Sequence, residues 1–155
     1  MQTLAVDCGG TGIKAAVLSS SGKVIKELPY VKTPYPITPQ KLISIIGNFL
    51  LQTSGTKRLT VGLPGMIRGG KVVVIPHYVN PHGPRTKASN ELRHLWYGFD
   101  MQKALAKKFK LPTLVLNDAE IHGAAVISGK GLELVLTFGT GLDRKSTRLN
   151  SSHVS

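Results

Sequence analysis

An acidic residue closes an apolar run at Asp7, and the residues that follow, Cys8-Gly9-Gly10-Thr11-Gly12-Ile13-Lys14, make a glycine-rich turn that opens into a second apolar run. Glycine leaves no Cβ between a backbone amide and an incoming phosphate, and successive amides in such a turn form a concavity that attracts anions. Gly9, Gly10, Thr11 and Gly12 are therefore candidate phosphate-binding residues, with a hydroxyl donor at Thr11 and positive charge at Lys14. Asp7 is the candidate for holding a hydrated magnesium ion. A plain hairpin turn with an aspartate near the strand end fits the same residues. The P-loop and dinucleotide fingerprints do not fit, because their glycine loops lead into a helix and this one leads into a strand.

A second constellation is Asn117-Asp118-Ala119, where the apolar run TLVLN meets a helical pattern. Asp118 has two readings: an N-cap, the common task of an aspartate there, or a carboxylate at the carboxyl edge of a sheet that takes a proton from a substrate hydroxyl. Glu120 is a rival acid, on a different face of the helix. A third is LTFGTGL, residues 136 to 142, in which Gly139, Thr140 and Gly141 form either a second phosphate cradle or an ordinary strand-ending turn.

The elements that must position these residues follow from periodicity. Residues 3 to 8, 13 to 19 and 23 to 28 read as strands joined by connections too short for a crossover helix, so they form an antiparallel meander. After a proline-rich loop, Leu42, Ile45, Ile46, Phe49 and Leu50 fall at helical spacing behind Thr38-Pro39, predicting a helix over 39 to 53. Strands are predicted at 59 to 63 and 71 to 76, and an exposed, turn-rich loop from His77 to Arg93. A helix over 100 to 110, a strand at 113 to 117, a helix over 118 to 128 and a strand at 133 to 138 complete the pattern. The order predicts a ribonuclease-H-like α/β fold, a mixed five-stranded sheet flanked by helices. From Asp143 the sequence DRKSTRLNSSHVS is polar and without periodicity, resembles translated cloning-adapter sequence, and is expected to be a non-native or disordered tail.

Composition narrows the function classes. The 155 residues, 41% of them hydrophobic, suit one core. Twenty Lys and Arg against 8 Asp and Glu give a net charge of +12, which favours an anionic partner. The basic residues are scattered from Lys14 to Arg148 without aromatic interleaving, so nucleic acid is not the expected partner. The one cysteine, Cys8, excludes an internal disulfide and a cysteine-based zinc site within the chain, and reads as a buried, inert thiol. With no membrane-length apolar run and no signal-peptide pattern, the expected location is cytoplasmic.

The ordered set of D-x-GGTG, a GLPG turn at 62 to 65, NDA after a strand and LTFGTG resembles the ROK family of sugar kinases. Within it the chain is most similar to polyphosphate glucokinase-like members, through DCGGTGIKAAVL, TPYPITP, WYGFDMQKAL, VLNDAEIHGAA and GKGLELVLTFGTG, a likeness that covers residues 3 to 142. The resemblance implies the N-terminal lobe, 1 to 142, of an actin-like kinase that transfers a phosphoryl group from ATP or polyphosphate to a hexose hydroxyl, glucose being the expected acceptor. It implies Asp118 as general base, Asn117 in sugar binding, and Pro64 and Gly65 in the turn that shapes the sugar side. Asp7 and the Gly9 to Gly12 turn would serve magnesium and donor phosphates, with Gly139 to Gly141 as the second phosphate loop. A second lobe is absent from the chain, which is therefore expected to be a truncated product, inactive alone; a homodimer is expected of the intact enzyme. Two other classes fit less well. A ROK-type sugar-responsive transcriptional regulator needs a DNA-binding module before residue 7, and a non-catalytic sugar- or phosphate-binding module does not need Asp118.

Overall fold

The structure, a computed structural model, describes residues 1–120 and the backbone of 137–138 and 142–143. In chain order the elements are β1 Gln2–Cys8, β2 Gly12–Leu18, β3 Val24–Glu27, β4 Val31–Lys32, α1 Pro39–Leu51, β5 Thr56–Leu63, β6 Met66–Arg68, β7 Lys71–Val74, α2 Asn90–Trp96, α3 Met101–Phe109, β8 Thr113–Asn117, β9 Thr137–Phe138 and β10 Leu142–Asp143. Residues 118–120 begin a further helix. The main sheet runs β3-β2-β1-β5-β8, with the short β4 added beside β2. Tight turns make β1, β2 and β3 antiparallel, whereas β5 and β8 join parallel to β1 after helical crossovers.

Alternation along β1 and β2 divides the sheet into two faces. Leu4, Val6 and Cys8 stand opposite Val17, Ala15 and Ile13, all buried. Ala5 and Asp7 stand opposite Ala16 and Lys14 on the other face. The buried face receives α1, whose start is set by the Thr38 hydroxyl accepting from Lys41 N at 3.2 Å and by Pro39 in the first turn. Its Leu42, Ile46 and Phe49 are fully buried, each stabilising the fold by about 1.5–3 kcal/mol. α3 lies beside it, close enough that a Cβ on Gly47 would stand 3.3 Å from the Phe109 ring.

Two predicted elements take a different form. The strand at 71 to 76 exists as β7, but it pairs with β6 in a separate hairpin whose turn, Gly69-Gly70, has φ of 55° and 77°, the positive values a two-residue hairpin turn needs. The segment from His77 to Arg93 is not an exposed loop throughout. Tyr78, Val79 and Asn80 are buried, and its last residues form the start of α2. Its apolar residues are too few and irregularly spaced to show a period, and their burial comes from a distant partner. Trp96 is fully buried, stacks obliquely on Tyr78 at 5.3 Å between ring centroids, and donates its indole N–H to Ile37 O at 2.9 Å. Of the helix expected over 118 to 128 and the strand over 133 to 138, residues 121–136 lie outside the described residues, although β9 and β10 pair antiparallel. No helix among the described residues is long and apolar enough to cross a membrane.

The Trp96 indole bond ties α2 to the proline-rich loop. Replacing Trp96 by Phe keeps a ring but leaves the buried Ile37 carbonyl unsatisfied, so it is expected to cost about 1–3 kcal/mol. A urea midpoint lowered at unchanged m-value is the expected result, and an unshifted midpoint would show that the bond contributes nothing.

Candidate functional site

Because β1, β5 and β8 run parallel, their carboxyl ends lie at one edge of the sheet, and the register places Asp7 beside Gly62 and Leu63 beside Asn117. Three short segments therefore converge there: the glycine turn after β1, the Pro64-Gly65 turn after β5, and Asn117-Asp118 after β8. A cavity of about 520 Å³ on the Ala5–Asp7 face of the sheet is lined by Asp7, Lys14, Glu27, Tyr30, Thr60 and Asp118, among others. Asp7 and Lys14 face each other as a cross-strand pair, which puts a carboxylate and an ammonium on one side of the turn.

Asp118 owes its position to its neighbours. Asn117 is 1% exposed, and its side-chain amide donates to Leu63 O at 3.3 Å, Gly65 O at 2.5 Å and Asp118 Oδ1 at 2.8 Å. Its side-chain oxygen accepts from Ala119 N at 3.0 Å, while its backbone N–H donates to Glu120 Oε2 at 3.1 Å. Asn117 is therefore the cap, and Glu120, at the third helical position, supplies the return bond of a capping box. Asp118 is thus the first helical residue rather than the cap, and Glu120 is turned back onto the cap. The Asp118 Oδ1 atom is held by Asn117 and by Ala119 N, both at 2.8 Å. Asn117 reaches the carbonyls of Leu63 and Gly65 on either side of Pro64, which is itself buried. Gly65 must be glycine here, since a Cβ would overlap the Val74 carbonyl and stand 2.9 Å from Ile75 Cα.

The glycine turn is closed by Gly9 N donating to Gly12 O at 2.8 Å. Its other carbonyls are taken by side chains from elsewhere: Gly9 O accepts from Thr33 Oγ1 at 2.8 Å and Tyr78 OH at 3.2 Å, Gly10 O from Tyr35 OH at 2.6 Å, and Thr11 O from Tyr30 OH at 3.0 Å. None of these four hydroxyls was a candidate from sequence. Thr33 and Tyr35 sit in TPYPITP, a segment that carried only the family likeness, and no spacing rule connects it to residues 9 to 11.

Burial, reinforced by the Asp7 and Asp118 carboxylates, holds the Cys8 thiol far above its ordinary range, so it stays protonated and unreactive. Burial also raises Tyr78 well above the usual phenol value and pushes Tyr35 up to about 12. Among the described residues no three His, Cys, Asp or Glu side chains assemble into a metal cage. Magnesium asks for less, one or two carboxylates with water and phosphate oxygens completing its shell, and Asp7 and Asp118 lining one cavity fit that need. Gly139, Thr140 and Gly141 lie outside the described residues.

Sheet order, helical crossovers and a glycine turn at the edge define the lobe of an actin-like ATPase fold, as in ROK kinases of known structure. The ROK family profile matches residues 3–142, and the chain belongs to that family. It is 30% identical over 149 residues to an N-acetylmannosamine kinase of Escherichia coli (strain SE11), a match covering 92% of this chain and 46% of that protein. The chain therefore spans about half the length of the curated relatives it matches. The inorganic polyphosphate/ATP-glucomannokinase from Arthrobacter sp. strain KM superposes with a TM-score of 0.70 at 26% identity, over 91% of this chain and 56% of that one. A ROK family glucokinase from Streptomyces griseus, solved with glucose and AMPPNP, superposes with a TM-score of 0.66 at 22% identity, over 92% and 43%.

The Tyr35 phenol supplies a pH test of the turn. Its folded value of about 12 exceeds the unfolded value of about 10, so its contribution to stability is complete below pH 10 and is lost as pH rises through 12. The melting temperature of the wild type is expected to fall more steeply between pH 10 and 12 than that of Tyr35→Phe. Parallel profiles would mean that Tyr35 carries no such linkage.

Proposed function

We propose that this lobe belongs to a hexose kinase, with glucose as acceptor and ATP or polyphosphate as phosphoryl donor. The observation that carries the reading is the Asp118 carboxylate, which lines the same cavity as Asp7 and Lys14, one of its oxygens being held by Asn117 and Ala119 N while Asn117 caps the helix with Glu120. In this reading Asp118 accepts the proton of a sugar hydroxyl as that oxygen bonds to the terminal phosphorus of the donor. The bond from phosphorus to the bridging oxygen breaks, releasing ADP or a polyphosphate shorter by one unit. Asn117 is the residue that orients Asp118, and the Pro64-Gly65 turn forms the sugar side. The amides of the Gly9 to Gly12 turn and Lys14 hold donor phosphates, joined in this reading by Gly139, Thr140 and Gly141. Asp7, with Asp118 nearby, would hold magnesium, which when bound neutralises charge on the phosphates.

Support for the acceptor and donor comes from the kinases named above, whose own names specify glucose, N-acetylmannosamine, ATP or polyphosphate. Setting aside the tail from Asp143, with its three basic residues and one acid, the net charge of +12 becomes +10, which favours a long polyanion, since a basic surface concentrates many linked phosphates more strongly than one nucleotide. Turnover is proposed for a protein that carries this lobe together with the remaining half present in its relatives.

In such a full-length chain, Asp118→Asn is expected to lower kcat for glucose phosphorylation by about 10²–10⁴-fold while leaving glucose affinity within about twofold. Unaltered kcat would return Asp118 to a structural role. Polyphosphate affinity is expected to weaken steeply as salt is raised, and an affinity indifferent to ionic strength would count against electrostatic capture.

A further inference from the structure

The glycine turn takes its shape from hydroxyl groups that neither it nor its flanking strands supply. We propose that Thr33, Tyr35 and Tyr78 are positioning residues: by holding the carbonyls of Gly9 and Gly10, they aim the amides of Gly10 and Thr11 at the phosphates of the donor. The inference rests on the phosphate-binding reading of the turn and names the residues that make the turn competent.

The geometry follows from peptide planarity. In a trans peptide the C=O of one residue and the N–H of the next point in opposite directions across one rigid plane. Thr33 Oγ1 and Tyr78 OH hold Gly9 O from one side, at 2.8 and 3.2 Å, so the Gly10 N–H points to the other. Tyr35 OH holds Gly10 O at 2.6 Å and does the same for the Thr11 N–H. Among the described residues neither of these two amides donates a hydrogen bond to the protein. The next carbonyl, Thr11 O, is held by Tyr30 OH at 3.0 Å and by Thr33 N at 3.1 Å, which stops the turn from swivelling.

The donors suit this task. Uncharged hydroxyls satisfy the carbonyls without bringing a negative group to an anion site, and a phenol, with an ordinary value of about 10, is neutral at physiological pH; burial moves both phenols further from ionisation. They are also braced. Tyr78 packs on the fully buried Trp96, whose indole is bonded to Ile37 in the same loop that carries Thr33 and Tyr35. Close approach favours glycine at both positions: a Cβ on Gly10 would stand a tight 3.2 Å from His77 and Pro84, and one on Gly12 would overlap the phenol end of Tyr30. Amides fixed before the ligand arrives need no reorganisation on binding, which is the source of their advantage.

The test uses the 155-residue chain, ¹⁵N-labelled and titrated with inorganic tripolyphosphate while the Gly10 and Thr11 amide resonances are followed. The wild type is expected to show saturable shifts at both. Tyr35→Phe and Thr33→Val are each expected to weaken tripolyphosphate binding by about fivefold, with the resonances of Val61 and Leu59 unmoved, and Thr33→Ser is expected to restore it. Wild-type binding that Tyr35→Phe and Thr33→Val leave unchanged overturns the positioning role alone. Equal loss in Thr33→Val and Thr33→Ser also overturns it, since the hydroxyl would not be the active feature. Should Tyr35→Phe disperse the core resonances, the Thr33 pair decides. A wild type whose Gly10 and Thr11 resonances do not respond overturns the phosphate reading itself.

Discussion

A buried side-chain amide cut off from water must find its partners within the protein or cost several kcal/mol, and Asn117 meets that demand in a way that shapes the edge of the sheet. Its Nδ2 group bonds the end of β5, the Gly65 carbonyl and the Asp118 carboxylate, while its Oδ1 atom starts the next helix. One residue therefore sets the distance between two parallel strand ends, holds the turn that leads to the β6–β7 hairpin, and orients the acid proposed as base. The register Leu63 to Asn117 makes this possible, because only side-by-side parallel strands bring both ends to the same place.

The glycine turn after β1 meets the complementary problem. It exposes carbonyls in a bend too tight for regular pairing, and the loop of residues 30 to 35 and the segment at Tyr78 supply hydroxyls to satisfy them. Both suppliers are anchored through Trp96, so the small cluster of Ile37, Tyr78 and Trp96 acts on the site through packing as well as hydrogen bonds. The two halves of the site rest on the same principle. Backbone groups at strand ends are oriented by side chains drawn from distant parts of the chain, and the ionisable residues stand in front of them.

Local rules recovered much of the frame. Alternation in residues 3 to 8 and 13 to 19, the Thr38-Pro39 start of α1 and the helical run over 100 to 110 all depend on neighbours within a few positions, where sequence and conformation are directly coupled. Tyr78, Trp96 and α2 escaped because their burial depends on one aromatic contact between residues 18 apart, set within a polar, proline-bearing stretch. Asp118 was legible as a residue, and as one of two candidates for the helix start. Seeing that Asn117 rather than Asp118 starts the helix required knowing that Glu120 turns back to the Asn117 amide, a matter of side-chain direction that spacing alone does not decide.

By itself, the sequence determined the strand-turn-strand opening, the glycine positions, the run from α1 to β5 and from α3 to β8 and, through its ordered motifs, the family. Only the tertiary structure decided which groups hold the turn, which residue caps the helix, and that Asp7, Lys14 and Asp118 share one cavity. The division has a physical cause. Backbone preference and amphipathic period act over a few residues and are written locally, whereas the aim of an amide or carboxylate is set by partners tens of residues away, brought near only when the sheet has closed.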